Sequence, residues 1–310
     1  MQIHRNFDDL GHIRNPVVTT GSFDGVHVGH KTILNRLRNI ADEIGGETVL
    51  ITFHPHPRKV LYPDTAGKSL KLISSQREKV ELLQHTGLDH LIIIPFTLEF
   101  SRITSHEFVE KILVEKLNAK RIIVGFNHHF GHKRQGDFDY LYELAKYHDF
   151  QVEEIPEQDV ENETVSSTTI RKALHEGRIQ RANAYLDHFY IIMGPLKDGH
   201  SRCRDVGFPT YSVEIEEQVK LIPPQGVYAI SLIYGSLKYK GMLNVKKFED
   251  CDDVSLEVHL FDHDHEAELR GEIVTIQFHK RMRDELNLNN TKSLHNQLEQ
   301  DKADIEQLIY

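Results

Sequence analysis

Two imidazoles held two residues apart around a glycine, His27-Val28-Gly29-His30, close the polar segment Thr20-Gly21-Ser22-Phe23-Asp24-Gly25-Val26. Imidazole N–H groups can donate to phosphate oxygens as negative charge grows on them during substitution at phosphorus. Gly25 and Gly29 allow the backbone to approach an anion closely. Upstream, Pro16-Val17-Val18-Thr19-Thr20 reads as a short buried strand, and downstream Ile33, Leu34, Leu37, Ile40, Ala41 and Ile44 recur at helical spacing. The histidines therefore fall at the N-terminal edge of a helix, where free N–H groups and the helix dipole favour an anion. A His-x-x-His pair alone has a plain structural reading in a chain with 21 histidines. The glycines and the flanking strand and helix are what turn the reading toward phosphate chemistry.

At 310 residues the chain is long enough for two domains, and its 39% hydrophobic content suits a globular protein. No apolar run approaches the ~20 residues that span a bilayer, and the first residues carry no secretory signal, so the expectation is a cytoplasmic protein away from membranes. Cys203 and Cys251 are the only cysteines, too few for a disulfide framework or a cysteine zinc site. The net charge of -10 argues against a nucleic-acid partner bound through phosphate neutralisation and leaves small molecules as the expected substrates. Oligomeric state is not readable.

The first half alternates strand and helix. Residues 47–53, 90–96 and 121–125 are short apolar runs suited to a sheet covered on both faces. Ser75-x-x-Glu78 and Thr104-x-x-Glu107 read as capping boxes opening helices that continue with Val80, Leu82 and Leu83, and with Phe108, Ile112, Leu113 and Leu117. In a doubly wound sheet, ligands collect beyond the carboxyl ends of the strands. The polar segments 27–30, 54–58, 97–102 and 127–134 each follow a strand and are expected to meet in one cleft. Helical stretches then run to about Gly177 and over 180–186, after which strands at 190–193, 226–234, 237–243, 254–261 and 273–278 predict a small antiparallel barrel, closed by a helix over 292–308. The expected boundary lies at Leu186-Asp187, giving domains 1–186 and 187–310. Asp262-His263-Asp264-His265-Glu266 reads better as a solvated hairpin turn than as a metal cluster, since no strand pattern aims its side chains at one point.

The segment from Gly21 to His30 closely resembles the G-x-F-D-G-V-H-x-G-H signature of bacterial FAD synthetases, members of the His-x-Gly-His nucleotidyltransferases. Thr52-Phe53-His54-Pro55-His56-Pro57 is similar to the family's T-F-x-P-H-P, and Phe96-Thr97-Leu98-Glu99-Phe100-Ser101 to its F-T-x-E-F-S. Val124-Gly125-Phe126-Asn127-His128-His129-Phe130-Gly131 resembles V-G-x-[ND]-x-x-F-G, and Ser166-Ser167-Thr168-Thr169-Ile170-Arg171 resembles S-S-T-x-I-R. The resemblance implies an α/β fold: a Rossmann-like nucleotidyltransferase domain with a parallel sheet, then a riboflavin kinase-like antiparallel β-barrel with a C-terminal helix. It implies transfer of AMP from ATP to FMN, giving FAD and pyrophosphate, with Mg²⁺ on the phosphates.

For that reaction His27 and His30 are the expected transition-state donors, and the resemblance makes Asn127 the group that orients the nucleophile. Arg171 has a planar fork suited to the leaving phosphates. Gly21, Phe23, Gly25, Gly29, Ser166, Ser167 and Thr168 are expected around ATP, the hydroxyls also being able to cap the helix that follows. Phe53, His56, Pro57 and Phe130 are the expected flavin contacts, with core packing the equal alternative for the two phenylalanines. The run His128, His129, His132 reads as substrate contact or simple exposure rather than a metal set.

The barrel resembles riboflavin kinase with departures. Gly207-Phe208-Pro209-Thr210, Gln225-Gly226-Val227-Tyr228, Leu256-Glu257-Val258-His259-Leu260 and Arg281-x-x-Asp284-Glu285 stand where kinase motifs belong, and Glu257 matches the catalytic base. The family's G-F-P-T-A-N ends here in Tyr211-Ser212, its R-G-R-x-L-G reads Arg202-Cys203-Arg204-Asp205-Val206-Gly207, its L-G-R-x-Y reads Leu186-Asp187-His188-Phe189-Tyr190, and its N-I-G-x-R-P-T-F is shortened to Asn244-Val245-Lys246-Lys247-Phe248. Of the kinase-like set Thr210, Ser212 and Glu257, the serine is a replacement. The expectation is an FMN adenylyltransferase whose kinase activity is weak or lost. The alternatives are a fully bifunctional enzyme and a non-catalytic flavin- or RNA-binding regulator.

Overall fold

A computed structural model describes residues 1–8, 10–126, 128–161, 163–199, 207–247, 254–261, 269–286 and 290–309. The chain divides into two compact units, one formed by Met1–Lys71 and Lys79–Ser166, the other by Leu72–Glu78 and Ser167–Tyr310. Asn127, the phosphate-loop residues 202–206, Phe248, Cys251 and the acidic-histidine run 262–266 lie outside the described residues.

The first unit is built on a parallel sheet of six strands: β1 (Gln2–His4), β2 (Val17–Thr20), β3 (Thr48–His54), β4 (His90–Pro95), β5 (Arg121–Gly125) and β6 (Gln151–Ile155), in the order β1-β4-β3-β2-β5-β6. Residues 17–20 and 48–52 are buried without alternation, as expected of strands covered on both faces. The two faces are separate apolar clusters. On one, α1 (Val28–Ile44) and α3 (Gln76–Gln84) contribute Ile33, Leu34, Leu37 and Leu83 around Leu50, Leu91 and Ile123. On the other, Phe108, Val109, Ile112 and Leu113 pack with Ile51, Ile92, Val124 and Phe130.

The helix after Thr104 opens with the expected capping box, in which Thr104 and Glu107 exchange bonds. Only Ser105–Glu107 (α4) is α-helical, and Phe108–Lys116 winds as a π-helix; α5 (Phe138–Ala145) and the antiparallel pair β7 (Asp159–Val160) and β8 (Glu163–Thr164) follow later in the unit. The edge strands β1 and β6 escape a pattern search because Gln2–His4 is too short and Gln-Val-Glu-Glu-Ile too polar.

In the second unit β9 (Tyr190–Asp198), β10 (Tyr211–Val213), β11 (Gly226–Tyr234), β12 (Leu237–Lys247), β13 (Val254–Leu260) and β14 (Ile273–Arg283) close an antiparallel barrel in the order β10-β13-β12-β11-β14-β9. Before it come α6 (Ser167–His175) and α7 (Ile179–Leu186). The helix that ends the chain, Thr291–Leu308, packs Leu298 and Ile305 with Phe208, Met242 and Phe261. Asn244–Lys247 is not a loop but the end of β12, paired with β13 down to Lys247↔Val254. Leu243 and Val245 point into the core and Asn244 does not, the period of two that holds the segment in the ladder. Within this unit Lys220, 3% exposed, donates to Glu78, 1% exposed, at 2.6 Å and to the carbonyls of Ile73 and Ile191.

Candidate active site

β2 ends at Thr20, and the next residues make a strained bend before α1. Phe23 and Val26 take positive φ, 47° and 42°, with Gly25 at 91° between them. For a β-branched residue that region is disfavoured by roughly 1–3 kcal/mol, so the surroundings must impose it. They do: Phe23 and Val26 are 2% and 1% exposed and belong to the apolar cluster under α1.

The bend delivers His27 to the N-cap of α1 in an extended conformation, and its side chain makes no capping bond. The first turn contains no acidic residue. A helix start with no first-turn carboxylate of its own favours an anion through the helix dipole. The His27 and His30 rings stack at 3.7 Å between centroids with a 22° tilt, and Phe23 stacks on His30 at 4.3 Å. A Cβ on Gly29 would lie 3.3 Å from the His27 ring, so the glycine makes room for the pair.

His30 Nδ1 is sealed from solvent and has no hydrogen-bond partner among the described residues. Burial first, then the nearby charges of His27 and Lys79, hold His30 well below the ordinary imidazole pKa. A neutral imidazole at pH 7 keeps one N–H to donate and one nitrogen to accept.

β4, β3, β2 and β5 are consecutive neighbours in the parallel sheet, so the segments after them leave from one edge. After β3, Phe53 is partly buried and meets Phe96 and Phe100 at 5.6 and 5.7 Å. His56 Nδ1 accepts the Arg58 N–H at 3.2 Å and caps α2 (Pro57–Leu61), which Pro57 opens. After β4, Thr97 Oγ1 accepts the Phe100 N–H. After β5, Phe130 is 8% exposed and packs on Phe108 and Tyr140. His132 Nδ1 lies 3.1 Å from the Ser101 carbonyl oxygen, and His129 is exposed. His128 Nε2 is sealed without a hydrogen-bond partner among the described residues, and burial, with the charges of His129 and Arg134, pushes the ring down to about 4.

The hydroxyl-rich segment is divided between the units. Ser166 ends the first, while Ser167 and Thr168 open α6 of the second and Arg171 follows on the same helix. In the barrel, register places Ser212 beside Glu257 and Glu257 beside Asn244, one row across β10, β13 and β12. Thr210 Oγ1 and Asn244 Oδ1 are both sealed and lack hydrogen-bond partners among the described residues.

Three features had escaped the sequence reading: the strain at Phe23 and Val26, the Asn244–Glu257–Ser212 row, and Lys79, only 6% exposed. The lysine had a legible signal, since it stands four residues before Leu83 and so shares its helix face.

Two family models match the chain, FAD synthetase over residues 11–169 and riboflavin kinase over residues 186–309. The bifunctional riboflavin kinase/FMN adenylyltransferase of Listeria monocytogenes is 34% identical, over 94% of this chain and 91% of the relative. The Bacillus subtilis protein of the same description is 32% identical, over 93% and 90%. A crystal structure described as a macrolide-efflux protein from Streptococcus pneumoniae superposes with a TM-score of 0.86 at 27% identity, covering 97% of each chain. Among the described residues no helix is long and apolar enough to cross a membrane.

Proposed function

The chain belongs to the FAD synthetase family of bifunctional riboflavin kinase/FMN adenylyltransferases, and from that premise we propose that it joins AMP from ATP to FMN while phosphorylating riboflavin weakly or not at all. The two activities divide between domains 1–186 and 187–310 of this cytoplasmic enzyme. The observation that carries the first activity is the stacked His27–His30 pair on the strained bend at the start of α1.

An FMN phosphate oxygen attacks the α-phosphorus of ATP in line. The new P–O bond forms as the bond to the β-phosphate bridging oxygen breaks, and that oxygen leaves with pyrophosphate. The protein need supply no covalent nucleophile; position and charge stabilisation suffice. His27 and His30 donate to α-phosphate oxygens as charge grows on them, each contributing about 3 kcal/mol. Asn127 orients the attacking phosphate, Arg171 takes the leaving pyrophosphate bidentately, and Ser166, Ser167 and Thr168 donate hydroxyls to the same oxygens. Gly21, Phe23, Gly25 and Gly29 shape the ATP-side turn, and Phe53, His56, Pro57 and Phe130 serve the flavin.

Mg²⁺ bound to ATP would supply charge that offsets the phosphates. Among the described residues no group of three or more His, Cys, Asp and Glu is placed to hold a metal. In the barrel, the hard oxygens of Thr210 and Asn244 are of the type that would hold it.

Loss of kinase activity rests on Ser212 in place of an asparagine, a bulky and acidic Cys203–Asp205 phosphate loop, the changed Asp187-His188-Phe189 entry, and the stretch Asn244–Phe248, shorter than the family's N-I-G-x-R-P-T-F. The second reading, a fully bifunctional enzyme, draws on the retained Thr210 and Glu257 and on the Asn244 amide beside the latter. Product chromatography after incubation with ATP and Mg²⁺ separates them. FAD from FMN with little FMN from riboflavin is the expected result. Ready formation of FMN from riboflavin selects the bifunctional enzyme, and absence of FAD removes the adenylyltransferase.

A further inference from the structure

Two imidazoles meet at the amino end of the parallel sheet, away from the His27–His30 bend. β1 runs beside the first half of β4 with Gln2↔His90 and His4↔Ile92 paired, so His4 and His90 stand two positions apart in register and share one face. His4 Nε2 and His90 Nδ1 face each other at 3.1 Å, with the ring centroids 5.4 Å apart. On the other side of β4, Val49 of β3 pairs with His90, and Glu47, two residues before Val49, reaches the same face. Its Oε1 lies 3.9 Å from His90 Nε2, while its Oε2 accepts the Arg14 N–H at 2.7 Å. The polar segments that follow β3 and β4 leave from the opposite ends of those strands, roughly 20 Å away, so adenylyl transfer makes no use of this row.

Only one proton fits between the facing nitrogens. With the Glu47 carboxylate drawing the His90 proton to Nε2, Nδ1 is left with its lone pair and His4 carries the proton of the contact. Once His4 moves that proton to its own Nδ1, both rings offer a lone pair to the same point, where a divalent ion takes the proton's place. The span fits such an ion. Two zinc–nitrogen bonds of about 2.0–2.1 Å hold their nitrogens about 3.3–3.4 Å apart at a tetrahedral angle and about 2.8–3.0 Å apart at a right angle. The observed 3.1 Å lies between the two. A carboxylate behind the far nitrogen is the usual support of a ligating histidine, fixing its tautomer and raising its basicity. His90 is 6% exposed and makes a shielded anchor, whereas His4 is half-buried on an edge strand whose Gln2 and Ile3 are exposed.

We propose that His4 and His90 bind a zinc-type divalent ion, with Glu47 orienting His90 and water filling the remaining positions. The ion staples β1 to β4. An edge strand of three residues has few ladder bonds of its own, and a ligand that binds only when both strands are in place stabilises their pairing. The site is independent of the adenylyltransferase reading.

The test uses full-length wild type, His4→Gln, His90→Gln and Glu47→Gln, each freed of metal by a chelator and dialysis. Glutamine keeps a polar side chain and is a poor zinc ligand. Zinc chloride is titrated by calorimetry, and thermal melting is followed with and without one equivalent of zinc. Uptake by the rest of the 21 histidines is common to all four proteins, so the readout is the difference between them. Wild type is expected to have one site that binds zinc at least about tenfold more tightly than any site of His4→Gln or His90→Gln, and a zinc-dependent rise in melting temperature that both variants lose. Glu47→Gln is expected to keep the site with affinity lowered about tenfold. Zinc affinity in His4→Gln within about threefold of wild type overturns the proposal, as does a wild type whose melting zinc leaves unchanged. So does a site lost in His4→Gln but kept at full affinity in both His90→Gln and Glu47→Gln, which is chelation by His4 with the chain's amino group. If His90→Gln does not fold, Glu47→Gln makes that last comparison alone.

Discussion

His30 shows how a side chain acquires a chemical state its sequence position does not specify. Burial dominates and neighbouring positive charge adds to it, so the ring stays neutral well below the usual histidine range. His30 is therefore expected to add no acid limb near 6.5 to FAD formation beyond that of the FMN phosphate, whose second ionisation lies at about 6; rate profiles in buffers of constant ionic strength, set against the phosphate's own titration, check this. Substitution of His30 by alanine should lower kcat by about 10²–10³, and His27→Ala by somewhat less, with FMN and ATP still bound. Near-normal turnover in the double variant would remove the pair from the reaction. Phe53 and Phe130 illustrate the reverse ambiguity, since an aromatic ring fills a core and stacks a flavin by the same surface.

At the scale of elements, each unit depends on a polar device within its packing. Lys220 is almost sealed and satisfies its three donors on Glu78 and the carbonyls of Ile73 and Ile191, while its ammonium lies 4.3 Å from the Tyr190 ring centroid. Removing one partner of such a pair leaves a buried charge uncompensated. Lys220→Met is expected to destabilise by about 3–5 kcal/mol, and adding Glu78→Gln should restore part of that loss. Denaturant melts of the single and double variants give the comparison. Equal stability of wild type and Lys220→Met would show the pair to be solvated. The bend before α1 is the counterpart in the first unit: Gly25 is needed where φ is 91°, whereas Phe23 and Val26 tolerate their strain because the core holds them.

Across the molecule, partly buried histidines couple stability to acidity. His128 in the first unit and His279 in the second are both pushed down to about 4, chiefly by burial, from an ordinary value of 6.5. Between those values the unfolded chain binds protons that the folded chain does not. Stability is thus full above about pH 6.5, declines as pH falls toward 4, and receives no further loss from these groups below that. Thermal melting at pH 7, 5.5 and 4.5 should show the decline, and His128→Asn should flatten it for the first unit. A melting temperature independent of pH over that interval would contradict the assignment.

The sequence by itself determined the parallel α/β sheet, the barrel and the family, because continuous apolar runs, period-two strands, capping boxes and long motifs are local patterns that survive without coordinates. It located His27 and His30 at a helix start for the same reason: strand, glycine and helix signals adjoin them in the chain. It did not reveal β1 and β6, whose few or polar residues acquire strand geometry only by pairing with β4 and β5. Nor did it reveal that Asn244 stands in the ladder beside Glu257, or that the His27 and His30 rings stack on one another and on Phe23. Those relations depend on strand register and helix packing, which join distant segments through backbone hydrogen bonds and buried area. A residue's spacing from its chain neighbours carries no record of either.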